Sequence, residues 1–301
     1  MKLNKLFVAL MAVALPLGFT ACGSDDNESS EPYVFPEAPN KAKAATYTFS
    51  SWDTPIQSVS FSEGSSAIIE VEGLDGNEYI VGTYTESNGV YTVTAPDGQT
   101  YQFKVTVNGS DYKVVITVAG ESVTVEAKKT APSASGADDL LADWKPFKTQ
   151  LNLTHVIVKG EQVENPGSFM KEFVGANFQE MKEFAENKGC VIIEDLEGFD
   201  LQKVAFFGTF KFSASFKNKE SYTAIWETTS NWKDDGVDLK FTWEDENSKA
   251  NEFIKDGVSR VKIYKEGVNK GQCWLTLLST INNGIDEKWR VEVVFRLVPS
   301  E

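Results

Sequence analysis

The sequence predicts a mainly β, β-rich α+β protein: an antiparallel β-meander domain, then an antiparallel barrel or sheet packed with one long helix. Three observations carry that expectation. Turn dipeptides recur through the first half at Asp75-Gly76, Asn88-Gly89, Asp97-Gly98 and Asn108-Gly109, with Ala119-Gly120 in the same rhythm. Apolar and polar residues alternate between them, the period-two signature of half-buried strands. Beyond residue 139, further alternating runs surround a single apolar stripe at helical spacing.

Residues 46–129 form the meander. Asn-Gly and Asp-Gly suit tight hairpins because both central residues of the turn need positive φ. Tyr101, Phe103, Val105 and Val107 share one face of a strand, with Thr100, Gln102, Lys104 and Thr106 on the other. Tyr112, Val114, Ile116 and Val118 repeat the pattern. Six or seven strands with one buried face are expected. Residues 130–139, Thr-Ala-Pro-Ser-Ala-Ser-Gly-Ala-Asp-Asp, have the composition of a linker.

The second domain, residues 140–301, is expected to hold a long helix from about residue 166 to 187. Asn165 or Ser168 would cap it, Pro166 would occupy its first turn and Gly189 would follow its end. Met170, Phe173, Val174, Phe178, Met181 and Phe184 fall on one stripe, which reads as core. Strands are expected near Leu151–Val158, Cys190–Glu194, Val204–Phe216, Tyr222–Glu227, Val237–Trp243, Ser259–Tyr264, Cys273–Ser279 and Trp289–Val298, and Glu244 to Asn251 reads as a short second helix. Eight antiparallel strands can close into a small barrel that holds side chains or one small ligand. This succession, ending in Arg290-Val291-Glu292-Val293-Val294-Phe295-Arg296-Leu297, resembles the lipocalin-like domains of Bacteroidetes lipoproteins. No lipocalin signature motif accompanies it.

The N-terminus reads as a secretion leader. Lys2 and Lys5 precede an apolar run from Leu6 to Leu17, too short for the ~20 residues that span a bilayer. It ends in Phe19-Thr20-Ala21-Cys22-Gly23, where a small residue directly precedes a cysteine as in a lipobox, with Phe19 where Leu is commoner. The expectation is a signal peptide over 1–21, lipidation of Cys22, and a flexible tether over 22–45 carrying Pro32, Pro36 and Pro39. The acidic segment Gly23-Ser24-Asp25-Asp26-Asn27-Glu28 resembles the leaders of Bacteroidetes surface lipoproteins. That resemblance implies an outer-membrane protein facing the cell exterior, held to the membrane by its acyl chains.

Composition narrows the chemistry. Removing Lys2 and Lys5 from the 29 basic residues leaves 27 against 44 acidic ones, a net charge of −17. Such a chain repels nucleic acid, whose phosphates need Lys and Arg. With Cys22 assigned to the anchor, Cys190 and Cys273 remain, open to two readings: a disulfide in an oxidising envelope, or two buried thiols. The single histidine, His155, shares a strand face with Leu151, Leu153 and Ile157 and reads as a core or barrel-wall residue. The carboxylates Glu194, Asp195, Glu197 and Asp200, and Asp234, Asp235 and Asp238, fall in connections and match no EF-hand loop. No nucleophile, phosphate loop or metal motif is recognisable, so neither catalysis nor a cofactor nor a metal is expected.

Aromatics are the remaining signal. Trp226, Trp232 and Trp243 cluster near Tyr222 and Phe241. Such residues line a barrel core or stack on a ligand, and Trp232, in a loop, is the one expected outside. The resulting expectation is a non-catalytic, displayed domain that takes a small apolar ligand or a glycan. The alternative is a structural or interaction lipoprotein that docks onto partner surface proteins. An internal cavity lined by Phe206, Phe210, Trp226 and Trp243 would favour capture of a small ligand. Open strand edges on the 46–129 sheet would favour a protein partner.

Overall fold

The computed structural model describes residues 39–300 except 75, 133–136, 192–199, 219, 230–235, 245–257 and 283. The signal peptide, Cys22, most of the tether, Trp232, the Glu194–Glu197 and Asp234–Asp235 carboxylates and nearly all of the second helix expected from Glu244 lie outside the described residues. Among the described residues, no helix is long and apolar enough to cross a membrane.

The chain is mainly β. Eight strands form the first unit: β1 (Ala45–Phe49), β2 (Ile56–Phe61), β3 (Ser66–Glu72), β4 (Asn77–Ser87), β5 (Val90–Thr94), β6 (Thr100–Asn108), β7 (Asp111–Val118) and β8 (Glu121–Thr130). Each pairs antiparallel with the next, and β8 returns to β1, so the expected meander of six or seven strands is an eight-stranded closed barrel. Closure leaves this sheet without an open edge. Two-residue turns set its register. Ser87 faces Val90 across Asn88 (φ 54°) and Gly89 (φ 78°), and Val118 faces Glu121 across Ala119 (φ 51°) and Gly120 (φ 88°). Tyr101, Phe103, Val114 and Ile116 point inward and are buried, while Val107 emerges at the barrel end. Inside, Phe61 stacks on Tyr91 at 4.3 Å and meets Tyr84 at 4.9 Å.

A second closed barrel follows, built from β9 (Asp143–Lys159), β10 (Gln162–Val174), α1 (Phe178–Glu186), β11 (Leu201–Phe206), β12 (Lys211–Phe216), β13 (Ser221–Thr228), β14 (Val237–Trp243), β15 (Val258–Ile263), β16 (Cys273–Asn282) and β17 (Glu287–Pro299). Strands β11 to β17 pair in order, and β17 closes onto β9. The long β9 is shared. Its first residues pair with β11, and from Lys148 to Lys159 it pairs with β10 instead, while β17 runs along its other side. This is a lipocalin-like antiparallel barrel packed, among the described residues, with one α-helix.

That helix is shorter than the stripe predicts. Residues 166–174 belong to β10, and α1 starts at Phe178, capped by the Asn177 side chain accepting from the Glu180 N–H at 3.2 Å. Phe169, Lys171 and Phe173 fall at the alternate spacing of one strand face, while Met170, Phe173 and Val174 fit a helical stripe, and β9 supplies the partner that decides between them. Pro166 sits in an irregularity between Glu164 and Gly167 rather than in a helical first turn. Met170 and Val174, expected in the core, are exposed. The run expected as one strand over Val204–Phe216 is likewise two strands, β11 and β12, folded back through a turn at Phe207–Phe210 in which Phe210 has φ 60°.

The interior of the second barrel is filled. Phe206 meets Phe212 at 5.1 Å and Trp226 edge-on at 5.7 Å, and Phe212 meets Phe241 at 4.8 Å. The indole N–H of Trp226 donates to the Lys211 carbonyl at 3.0 Å, which satisfies its polar end inside the core.

The two barrels dock. Ile68 and Val81, cross-strand neighbours on the outside of the first barrel, pack against Ala205 and Phe207 of the second. Beside them Asp143, the first residue of β9, is buried against the loop between β2 and β3. It accepts from the Ser62 and Ser66 hydroxyls at 2.8 Å each, the Ser65 N–H at 3.0 Å and the Lys203 ammonium at 3.3 Å. Lys211 adds a bridge to Glu70 at 3.4 Å, and Thr46 meets Thr209 at 3.2 Å.

Candidate functional site

A concavity lies at the mouth of the second barrel. Strand register builds it. His155 of β9 faces Gly167 of β10 on one side and Trp289 of β17 on the other, so these three form one row across three strands. One step deeper the row is Phe169, Leu153 and Val291, and one step outward Glu287 faces Ile157. Lys188 and Gly189, just past the end of α1, supply the opposite wall. The groove encloses about 330 Å³, lined by His155, Pro166, Gly167, Phe169, Lys188, Gly189, Glu287 and Trp289.

Its floor is aromatic. The His155 ring stacks on Trp289 with centroids 4.8 Å apart and planes 22° apart, and Phe169 lies 6.2 Å from the same indole. Trp289 is only 6% exposed, so a ligand would meet chiefly His155 and Phe169 with Trp289 behind them. The rim is charged: Lys188 Nζ sits 4.6 Å from the Phe169 centroid, and Glu287 Oε2 lies 3.5 Å from His155 Nε2. Chemically this is a small, water-open pocket with ring faces below and one charge of each sign at its edge. Such a combination holds and orients a polar ring. His155 is thus a barrel-wall residue, at the mouth rather than the centre.

The residues singled out from sequence lie elsewhere. Trp226 and Trp243 are buried in the barrel core and unavailable to a ligand, because Phe206, Phe212 and Phe241 pack around them. Tyr222 is partly exposed on β13, its hydroxyl donating to Glu220 at 2.6 Å. Cys190 and Cys273 are both buried and free, so the disulfide alternative does not hold in this structure. Burial pushes the Cys190 thiol up to about 12 and that of Cys273 higher still, which suppresses the thiolate and makes neither a nucleophile. Among the described residues, no group of three His, Cys, Asp or Glu side chains could hold a metal.

Sequence reasoning missed Phe169, Gly167, Lys188 and Glu287. The first two were absorbed by the expected helix. Trp289 was visible as the start of the last strand, without the register that sets it beside His155.

The fold and groove define a class: a tandem of closed antiparallel β-barrels, the second carrying a shallow aromatic groove at its mouth. Compared with protein-family models, curated proteins and solved structures, the chain matches none.

Proposed function

We propose that this chain is a non-catalytic, lipid-anchored lipoprotein of the outer membrane that displays a glycan-binding β-domain to the cell exterior. The groove at the mouth of the second barrel carries the reading. Ring faces of His155 and Phe169 suit the C–H face of a sugar, and the Lys188 and Glu287 side chains suit its hydroxyls. A volume of about 330 Å³ falls at the lower end of small-ligand sites. The other expected cargo, a small apolar ligand inside the barrel, is disfavoured because Phe206, Phe212, Trp226 and Phe241 occupy that space. The leader residues and Cys22 supply the anchor.

The test is a glycan array probed with leaderless protein and with Gly167→Trp. A Cβ added at Gly167 meets no atom within 4 Å, so the indole would fill the groove without displacing core. Sugar binding that Gly167→Trp abolishes supports the reading. Binding that survives the substitution moves the site elsewhere, and binding to no sugar removes the glycan reading. For the anchor, Cys22→Ala is expected to release the full-length protein from the membrane fraction, and unchanged retention would refute lipidation there.

One observation favours docking to a partner protein as the second reading. Among the described residues β10 pairs with β9 alone, and it presents Val163, Met170 and Val174 to solvent. An extended strand of a partner could add to it over 167–174, beyond Pro166, which has no N–H to give. A silent array would make this the preferred reading.

A further inference from the structure

We infer that the groove selects acidic sugars, uronic acids or sulfated rings, with Lys188 and Lys171 as the anion-binding groups. The inference rests on the glycan reading above and narrows its ligand. Among the described residues, Lys43, Lys148, Lys182, Lys203, Lys211, Lys217, Lys240 and Lys265 are each paired with a carboxylate. Lys188 and Lys171 have none among the described residues. Each lies over aromatic rings instead: Lys188 is 4.6 Å from the Phe169 centroid and 6.0 Å from that of Phe184, and Lys171 is 4.8 Å from Phe173 and 5.5 Å from Phe184.

Two ammonium groups therefore flank the ring of Phe184 beside the groove. A cation held over a ring face keeps its other N–H groups directed away from that ring, toward an incoming acceptor. Lys171 stands two residues along β10 from Phe169 and so on the same face, which places it next to the groove on the side where Lys188 forms the rim. Glu287, against His155 at 3.5 Å, holds a negative charge at the other end. An acidic ring is thereby oriented. Its carboxylate or sulfate turns to the lysines, and its hydroxyls turn to Glu287 as donors. A neutral ring gains the stacking but not the ion pair, and an anion presented the other way round meets like charge.

The experiment is titration calorimetry on leaderless protein with three probes: oligogalacturonate, heparin-derived oligosaccharide and a neutral galactan oligosaccharide. The Lys171→Met/Lys188→Met double variant keeps the side-chain stems on the rings and removes the charges. At least one acidic probe is expected to bind about tenfold or more tighter than the neutral one. That preference should weaken with salt and disappear in the double variant, with the thermal midpoint unchanged. Neutral and acidic probes bound alike, or acidic binding that survives the double variant, overturns the charge assignment and leaves the glycan reading intact. Acidic binding that survives Gly167→Trp overturns the location. No binding of any probe, followed by a silent array, brings down the glycan reading itself.

Discussion

Replacing Asp143 by Ala should loosen the joint between the barrels more than any other single substitution at that interface. The carboxylate is buried and accepts from two serine hydroxyls, a backbone N–H and an ammonium, at 2.8 to 3.3 Å. Truncation leaves those donors facing one another in a site that water reaches poorly. Each unsatisfied buried donor costs about 1–3 kcal/mol, and breaking a buried ion pair costs about 3–5 kcal/mol. These terms overlap, because the serine hydroxyls can turn and Lys203, its side chain 19% exposed, can reach solvent. The expected loss is about 3–5 kcal/mol, a large share of the ~5–15 kcal/mol that holds typical domains. Urea unfolding separates the two barrels, since six of the seven tryptophans lie beyond residue 140 and report on the second. Far-UV circular dichroism reports on both. In the native protein the two signals should fall together, and in Asp143→Ala they should separate and the fluorescence midpoint drop. Asp143→Asn keeps the volume and one acceptor and should fall between. If Asp143→Ala stays within about 0.5 kcal/mol of the native protein with coincident transitions, the carboxylate does not hold the joint.

Gly64→Ala should produce a related defect by sterics. A Cβ there would lie 2.4 Å from Asp143 Cγ, so the loop or the carboxylate must shift, and a lowered urea midpoint checks it. The joint should also weaken in acid. Burial pushes the Glu70 carboxyl up, but the Ser58 hydroxyl, the Lys211 ammonium and the Asn77 amide outweigh it and hold the group below the ordinary Glu value. A depressed folded-state pKa contributes stability that is complete above the unfolded value of ~4.3 and is lost as pH falls through the folded one. The stability difference between native protein and Glu70→Gln should therefore shrink below about pH 4, and a difference constant with pH would refute the linkage. Finally, leaderless protein that also carries Cys22→Ala should show no reaction with a thiol reagent when folded and release two thiols in urea without reductant. None released on unfolding would mean a bridge.

The fold was legible wherever a local signal was enough. Asn88-Gly89 and Ala119-Gly120 mark tight turns by backbone chemistry alone, and the alternation of Tyr101 with Phe103 sets a strand face without knowledge of its neighbours. Closure of the first barrel was not legible, because β1 and β8 meet across the whole domain. Residues 166–187 show the ambiguity most clearly. Met170, Phe173 and Val174 fit a helical stripe, yet Phe169, Lys171 and Phe173 fit a strand equally well, and the decision belongs to β9. The groove was hidden for the same reason. His155 and Trp289 are separated by more than a hundred residues and meet only through the register of β9 with β17. The tryptophans at 226 and 243 stood out by proximity in sequence, and that proximity turned out to reflect packing of adjacent strands.

One geometric consequence follows from β9. The same strand begins in the joint at Asp143 and carries His155 at the groove, twelve residues on, a span of up to ~40 Å at ~3.3 Å per residue. It acts as a boom. A tilt of about ten degrees at its root would swing the far end by roughly 7 Å over that span, nearly the width of a sugar ring. The serines around Asp143 thus bear on where the groove points, and under the proposed glycan-binding function substitutions there should alter access to a polymer surface while leaving affinity for a short oligosaccharide in solution untouched.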